Sequence, residues 1–428
     1  MIIVRGLSCF ALASLVSTGL CKPEPEPTSV KEWATAYTAS ASADVAAAAA
    51  TAKTSSPTSH VRGKAFQRFI VVYFENEDYD KAAGDANFSW LASKGITLTS
   101  YHAVTHPSEP NYAASVSGDH FGMQNDDFNR FDANVSTVID LLEDKGISWA
   151  HYQEDMPYSG FEGNEYKNQE NGANDYVRKH NPAILYDSVA QSERRLSQIK
   201  NISMVDRSRS LFHQDLEADR LPQWAFITPN MTSDGHDTSV TVAGEWARSF
   251  VEPLLNDDKF MQDTLLLVTW DENETHEIRN RIHAVLLGDA VPRRLVGTQD
   301  DTFYSHYSEI ATVEANWDLH TLGRWDVGAN VFKFVAEKTG DRLREWRRNN
   351  DFDSHFWNSS YAGFWNTDGG NHRYPKPNLA LSHGSFHGRT ILPSIVKRWE
   401  HSDAPAYYQD TIEIPDGLNP PKGYEPVE

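Results

Sequence analysis

The run Thr264-Leu265-Leu266-Leu267-Val268-Thr269-Trp270 leaves this chain little choice of fold. Its apolar side chains do not alternate with polar ones, so the strand it forms has no face suited to water. A strand buried on both faces belongs inside a sheet that helices cover on each side. Phe69-Ile70-Val71-Val72-Tyr73-Phe74 repeats the pattern. Strand-like and helix-like stretches alternate around these two. Strands are expected over residues 96–102, 147–152, 223–228 and 282–287. Helices are expected over 135–145, 188–199, 240–255, 307–317 and 327–339. Such alternation predicts an α/β chain, a layered α/β/α fold with a largely parallel central sheet.

At 428 residues the chain can bury a large core in one domain. Residues 1–20 are mostly hydrophobic, with Arg5 near the start and Ser17, Thr18 and Gly19 near the end. They read as a secretory signal peptide, cut between Gly19 and Lys22. Cys9 leaves with that segment and Cys21 lies at the cut, so the mature chain is expected to hold no disulfide. Residues 21–60 pass from Pro-Glu repeats to an Ala/Ser/Thr stretch and read as an N-terminal segment or linker. Residues 61–400 are expected to form the domain that carries the site, and 401–428 a Pro-rich tail. Sequons stand at Asn87, Asn134, Asn201, Asn230, Asn273 and Asn358. With the leader they point to a glycoprotein, secreted, extracellular or in the cell wall. No later stretch is long and apolar enough to span a bilayer, so no stable membrane anchor is expected. A net charge of -21 argues against nucleic acid as a partner, because a polyanion is repelled.

Polar clusters follow the strands. Glu75-Asn76 follows one of the two apolar runs and Asp271-Glu272 the other. His106-Pro107-Ser108-Glu109-Pro110-Asn111-Tyr112 lies between a strand and a helix-like run of small residues, 113–117. Asp234-Gly235-His236-Asp237 follows a fourth strand. In a parallel sheet all strand carboxyl ends share one edge, so these clusters converge there despite their separation in sequence. Glu, Asn and Asp oxygens make a hard-ligand site suited to one divalent metal ion such as magnesium, manganese or calcium, with iron also open. Beside it, Ser108 is the candidate nucleophile and a phosphoryl group the candidate electrophile. Asn111 and the N–H groups of the helix start are candidate donors to phosphoryl oxygens. His236 is a candidate acid for the leaving alcohol.

Several separated motifs stand here in the order in which a known family carries them. They are Phe74-Glu75-Asn76, the run from His106 to Tyr112 followed by Ser117-Gly118, Lys179-His180-Asn181-Pro182, Pro229-Asn230 through His236-Asp237, Thr269-Trp270-Asp271-Glu272 and Ser305-His306-Tyr307-Ser308. In these the chain resembles the fungal secreted acid phosphatases of the phosphate-repressible type. They form part of the phosphoesterase family, within the alkaline-phosphatase-like superfamily. The resemblance implies an alkaline-phosphatase-like fold and one metal held by Glu75, Asn76, Asp271, Glu272 and Ser108. It implies Ser108 as nucleophile, and His236 and His180 as the groups that move the proton, with their shares left open. Lys179, Asp237 and His306 are implied as further substrate contacts beside Asn111. The superfamily's two-metal members carry an additional Asp/His/His set whose spacing is absent here, which favours one metal.

The expected function is hydrolysis of small phosphate monoesters through a phosphoserine intermediate. Two alternatives stay beside it: a phospholipase C-type phosphodiesterase on the same scaffold, and a non-catalytic glycoprotein that binds phosphate or glycan.

Overall fold

The computed structural model describes residues 42–345, 356–361, 363–365, 373–383, 388–404, 406–410 and 412–413. The expected signal peptide, both cysteines, residues 21–41 of the N-terminal segment and most of the tail lie outside the described residues.

Among the described residues eleven strands are formed. They are β1 Arg68–Phe74, β2 Ile96–His102, β3 Trp149–Glu154, β4 Glu165–Lys167, β5 Asn174–Val177, β6 Ile199–Ile202, β7 Trp224–Thr228, β8 Thr264–Trp270, β9 Arg281–Leu287, β10 Thr298–Asp300 and β11 Tyr304–Ser305. A nine-stranded sheet has the order β10-β2-β9-β8-β1-β7-β3-β6, with β11 also on β2, while β4 and β5 form a separate ribbon. The two apolar runs lie side by side and parallel at its centre, Phe74 opposite Trp270. Only β9 runs against the rest of the large sheet. No local pattern announces that reversal, but the connection explains it. Residues 271–280 are too few for the crossover that a parallel neighbour needs.

Both faces are covered, as continuous hydrophobicity requires. Tyr73 packs on Tyr112 and His306, whereas its neighbour Phe74 packs on Phe88 and Trp246. Successive strand residues point to opposite faces. Helices Ser108–Ser117 and Tyr307–Trp317 therefore lie on one side, and helices Ala86–Ala92 and Val240–Leu255 on the other. Described residues beyond Asp341 also cover the domain. Helix Pro393–Trp399 buries Ile395 and Trp399. At the other end, the segment from Ser55 is pinned to the domain: its N–H donates to Ser197 O (2.9 Å) and Ser59 Oγ to Gln223 Oε1 (2.7 Å).

Two expected helices are corrected. Residues 188–199 form two short helices, Asp187–Ala190 and Glu193–Leu196, followed by edge strand β6. Ser192 breaks the run by capping the second of them. Residues 327–339 are helical only from Lys333, because the Phe332 N–H is spent on Thr312 Oγ1. The third difference matters for the site. The turn expected before a helix at 113–117 is itself helical, and Ser108–Ser117 is one helix with all ten residues buried. Pro110 fits because the first turn has no N–H bonds to lose. Gly118 ends it in the left-handed conformation at φ 76°.

Candidate active site

The Phe74–Trp270 rung ends two parallel strands together, so Glu75 and Asp271 emerge side by side. The Asp271 N–H donates to Phe74 O (2.9 Å) and the Glu77 N–H to Glu272 O (3.2 Å), which binds the two outgoing segments to each other. Asn76 turns at φ 41°, a left-handed conformation that asparagine tolerates better than most residues. That turn points its backbone N–H at Asp271 Oδ1 (3.1 Å) and its Nδ2 at Glu272 Oε1 (3.1 Å).

Ser108 opens its helix directly above this pair. Its Oγ lies 3.0 Å from Glu75 Oε2, 3.3 Å from Asn76 Oδ1 and 3.4 Å from Glu272 Oε1. Four of the five expected ligands thus share hydrogen-bond distances, and Asp271 joins them through Asn76. One turn along the same helix, the Tyr112 hydroxyl donates to Glu75 Oε1 (2.5 Å). Helical spacing therefore lets one element present the hydroxyl and fix a neighbouring carboxylate.

On the other side of Glu75 stands a second group. His180 Nε2 is 3.2 Å from Glu75 Oε1, and its Nδ1 is 3.6 Å from Asp234 Oδ2. Glu75, His180 and Asp234 offer ligand atoms all within 4.8 Å of one another, and all three are buried. Asp234 was within reach of the strand-end rule, since it follows β7, but its neighbour His236 attracted the functional reading. Tyr112 and His106 were passed over in the same way. His106 Nδ1 lies 2.6 Å from Glu272 Oε2.

Whether these residues suit a metal ion is decided by charge. Glu75, Asp234, Asp271 and Glu272 are all fully or almost fully buried. Burial, then Asp271 and Asp234, push the Glu75 carboxyl well above its usual range. Burial, then Asp271 and Asp237, do the same to Asp234, and burial with Asp126 to Glu272. Burial and Glu272 raise Asp271 to about 7. Neighbouring carboxylates held this far from water need a proton or a cation. Asp234 Oδ2, Asp271 Oδ2 and both ring nitrogens of His180 have no hydrogen-bond partner among the described residues. Oxygen donors with one imidazole suit a divalent ion, and the imidazole adds zinc to the metals that the sequence suggested. The residues fit.

The remaining candidates divide. Lys179 Nζ reaches Asp126 Oδ2 (2.9 Å). Burial alone would lower its pKa, but Glu75 and Asp126 outweigh that and raise it. His236 is half-exposed at the mouth, its ring 6.1 Å from that of His180 and its Nδ1 2.9 Å from Asp237 Oδ1. Asp237 also accepts from Asn174 (2.8 Å). Asn111 and His306 are engaged by neighbouring protein groups. Asn111 Oδ1 accepts from Val104 N–H, and its Nδ2 donates to Thr105 O (2.8 Å), Pro107 O and Glu272 Oε2. It shapes the turn and holds a carboxylate, with no donor left over for phosphate. His306 is wholly buried behind the site, Nε2 on Asp271 O (2.6 Å) and Nδ1 on the Tyr73 hydroxyl (2.7 Å). Both of its ring nitrogens are engaged by protein, so it positions Asp271.

Two sequons stand at buried asparagines whose side-chain amides the fold already uses. Asn273 is fully buried, with Nδ2 donating to Asp78 and Thr275. Asn230 Nδ2 donates to Asp155 Oδ2 (2.7 Å), and its Oδ1 caps the loop at Thr232 and Ser233.

Comparison with known proteins places the chain in a family. The model of the phosphoesterase family matches residues 85–320. An acid phosphatase of Aspergillus fumigatus is 59% identical over 285 residues, covering 67% of this chain and 62% of that one. A phosphate-repressible acid phosphatase of Penicillium chrysogenum is 44% identical over 407 residues, covering 95% of this chain and 92% of that one. The chain thus spans less than two thirds of the Aspergillus relative and nearly all of the Penicillium one. Among solved structures, a protein in the alkaline phosphatase superfamily from Vibrio parahaemolyticus is similar at a TM-score of 0.38 and 13% identity, over 63% of this chain and 73% of that one. That likeness is too loose to bear on the site.

Proposed function

The chain belongs to the phosphoesterase family, and from that premise we propose that it is an acid phosphatase acting on small phosphate monoesters. One observation carries the reading: the Ser108 hydroxyl stands at a helix start, within 3.4 Å of oxygens from Glu75, Asn76 and Glu272. The high identity to proteins named acid phosphatases supports the same conclusion.

The Ser108 Oγ passes its proton to the Glu75 carboxylate 3.0 Å away and attacks phosphorus in line as the bond to the leaving alcohol breaks, giving phosphoserine; that proton returns when Ser108 is freed. His236, at the mouth, delivers the proton to the leaving oxygen. The same group then takes a proton from the water that cleaves phosphoserine and frees Ser108. Lys179 supplies positive charge beside the transferred group. Tyr112, Asn111 and His306 hold Glu75, Glu272 and Asp271 in place. Glu75, Asn76, Asp271 and Glu272, with Ser108, would hold one divalent ion. When bound, such an ion lowers the hydroxyl pKa and spreads phosphoryl charge. The group Glu75, His180 and Asp234 offers a second way to hold it.

We also take the protein to be secreted and glycosylated, with Asn87, Asn134, Asn201 and Asn358 as the remaining positions. No described helix is long and apolar enough to cross a membrane.

Ser108→Ala is the decisive variant. Turnover of an aryl phosphate should fall by about 10⁴-fold or more. The melting temperature should stay within a few degrees, since no apolar contact is lost. Undiminished activity in a folded Ser108→Ala protein would overturn the assignment.

A further inference from the structure

Asp126 lies in the stretch 119–137, between helix Ser108–Ser117 and helix Val138–Asp144. Its two carboxylate oxygens do separate things. Oδ1 accepts the N–H of Glu109 (2.9 Å), the residue after the nucleophile. Oδ2 accepts the Lys179 ammonium (2.9 Å). An N–H in the first turn of a helix has no partner within the helix and favours an anion. An ammonium beside it does the same. A phosphoryl group presented to Ser108 Oγ would seek these two donors, and the resting protein already satisfies both with one carboxylate. Asp126 is in effect a planar stand-in for two phosphoryl oxygens. It also brings one more negative charge to a site that already holds Glu75, Asp234, Asp271 and Glu272, and it is the strongest charged influence on Glu272. Its side chain is 27% exposed, and that of Lys179 18%. The carboxylate therefore has solvent to turn into when a ligand arrives.

We propose that Asp126 is a specificity-determining residue that occupies the phosphoryl-binding donors in the resting protein, so that an anion binds only by displacing it. The inference rests on the reading of Ser108 as the nucleophile. It has a direct consequence for inorganic phosphate, the product. Phosphate must compete with a tethered carboxylate for the same N–H and the same ammonium, and it is repelled by that carboxylate's charge. Asp126 thereby weakens product inhibition and shortens the stay of any small anion.

The test measures the inhibition constant of inorganic phosphate against aryl phosphate hydrolysis for the full chain, Asp126→Asn and Asp126→Ala, at one pH. Both variants should bind phosphate more tightly, Asp126→Ala by about tenfold, which corresponds to ~1.4 kcal/mol. KM should fall in the same direction. A side chain that merely props Lys179 makes the opposite prediction, a weaker Lys179 contact with raised KM and inhibition constant. An unchanged or raised inhibition constant in a variant that melts like the parent overturns the proposal. Should Asp126→Ala fail to fold, Asp126→Asn keeps an acceptor for the Glu109 N–H but loses the charge beside Lys179, so its inhibition constant should still fall, by less than that of Asp126→Ala. Ser108→Ala runs alongside. If it stays active, the nucleophile reading has failed. If it is dead while the Asp126 variants show no gain, only this inference has.

Discussion

His180 and His236 sit in opposite electrostatic settings, although both were read as proton carriers. His180 is buried between Glu75 and Asp234, and burial, then Lys179 and His236, hold its pKa well below the usual imidazole range. A neutral imidazole there suits a ligand or a hydrogen-bond partner better than an acid. His236 is half-exposed and leans on Asp237. It is the better placed of the two to reach a leaving oxygen. His236→Ala should therefore slow alkyl phosphates, whose leaving groups need the proton, by about 10²-fold or more. Aryl phosphates should lose much less. Equal losses on both substrate types, measured as kcat, would assign His236 to binding instead. At this scale the sequence exposed residue types and missed their partners. Ser108, Glu75 and Asp271 stood out because they follow recognisable strands. Tyr112 did not, because a tyrosine in a helix usually signals packing, and only its hydroxyl on Glu75 shows otherwise. For Asn111, nothing local indicates that both ends of its amide bond to neighbours.

At the scale of elements, continuous apolar runs were the most reliable guide. β8 and helices Val240–Leu255 and Tyr307–Trp317 have the boundaries read from the sequence. The errors fell where a short connection or a cap overrode periodicity, as at β9 and around Ser192. Strand β3 carries a testable oddity. His151 is fully buried and stacked on Phe226, with no hydrogen-bond partner on either ring nitrogen among the described residues. Burial lowers its pKa to about 3. In the fold it stays neutral, whereas the unfolded chain takes up a proton below about 6.5. Its contribution is therefore fully present above that pH and is lost as pH falls toward 3. His151→Phe keeps the ring and removes the titration. The stability lost between pH 7 and pH 5 should shrink by about 2 kcal/mol in the variant. Urea unfolding at the two pH values measures this, and an unchanged difference would mean that His151 finds a proton partner in the fold.

The whole molecule brings together five segments, from Glu75 to Glu272, and it surrounds the result with helices and loops. Such a cluster of buried carboxylates should be held better with a cation than without one. Exhaustive chelation should abolish turnover and lower the melting temperature by several degrees, and adding back a divalent ion should restore both. Chelation confirmed by elemental analysis that left rate and melting unchanged would rule out the metal. The sequence by itself determined the layered α/β architecture and the sheet edge at which the polar clusters around Glu75, Ser108, Asp234 and Asp271 gather. It could do so because burial on both faces and strand direction are properties of short stretches. Tertiary structure alone decided that β9 runs backwards and that His306 and Asn111 bond to Asp271 and Glu272. It also decided that Asp234 and His180 close on Glu75 and that Asp126 sits on the Glu109 N–H and the Lys179 ammonium. Those facts depend on distances between segments far apart in the chain, set by packing and by which polar atoms burial leaves without water.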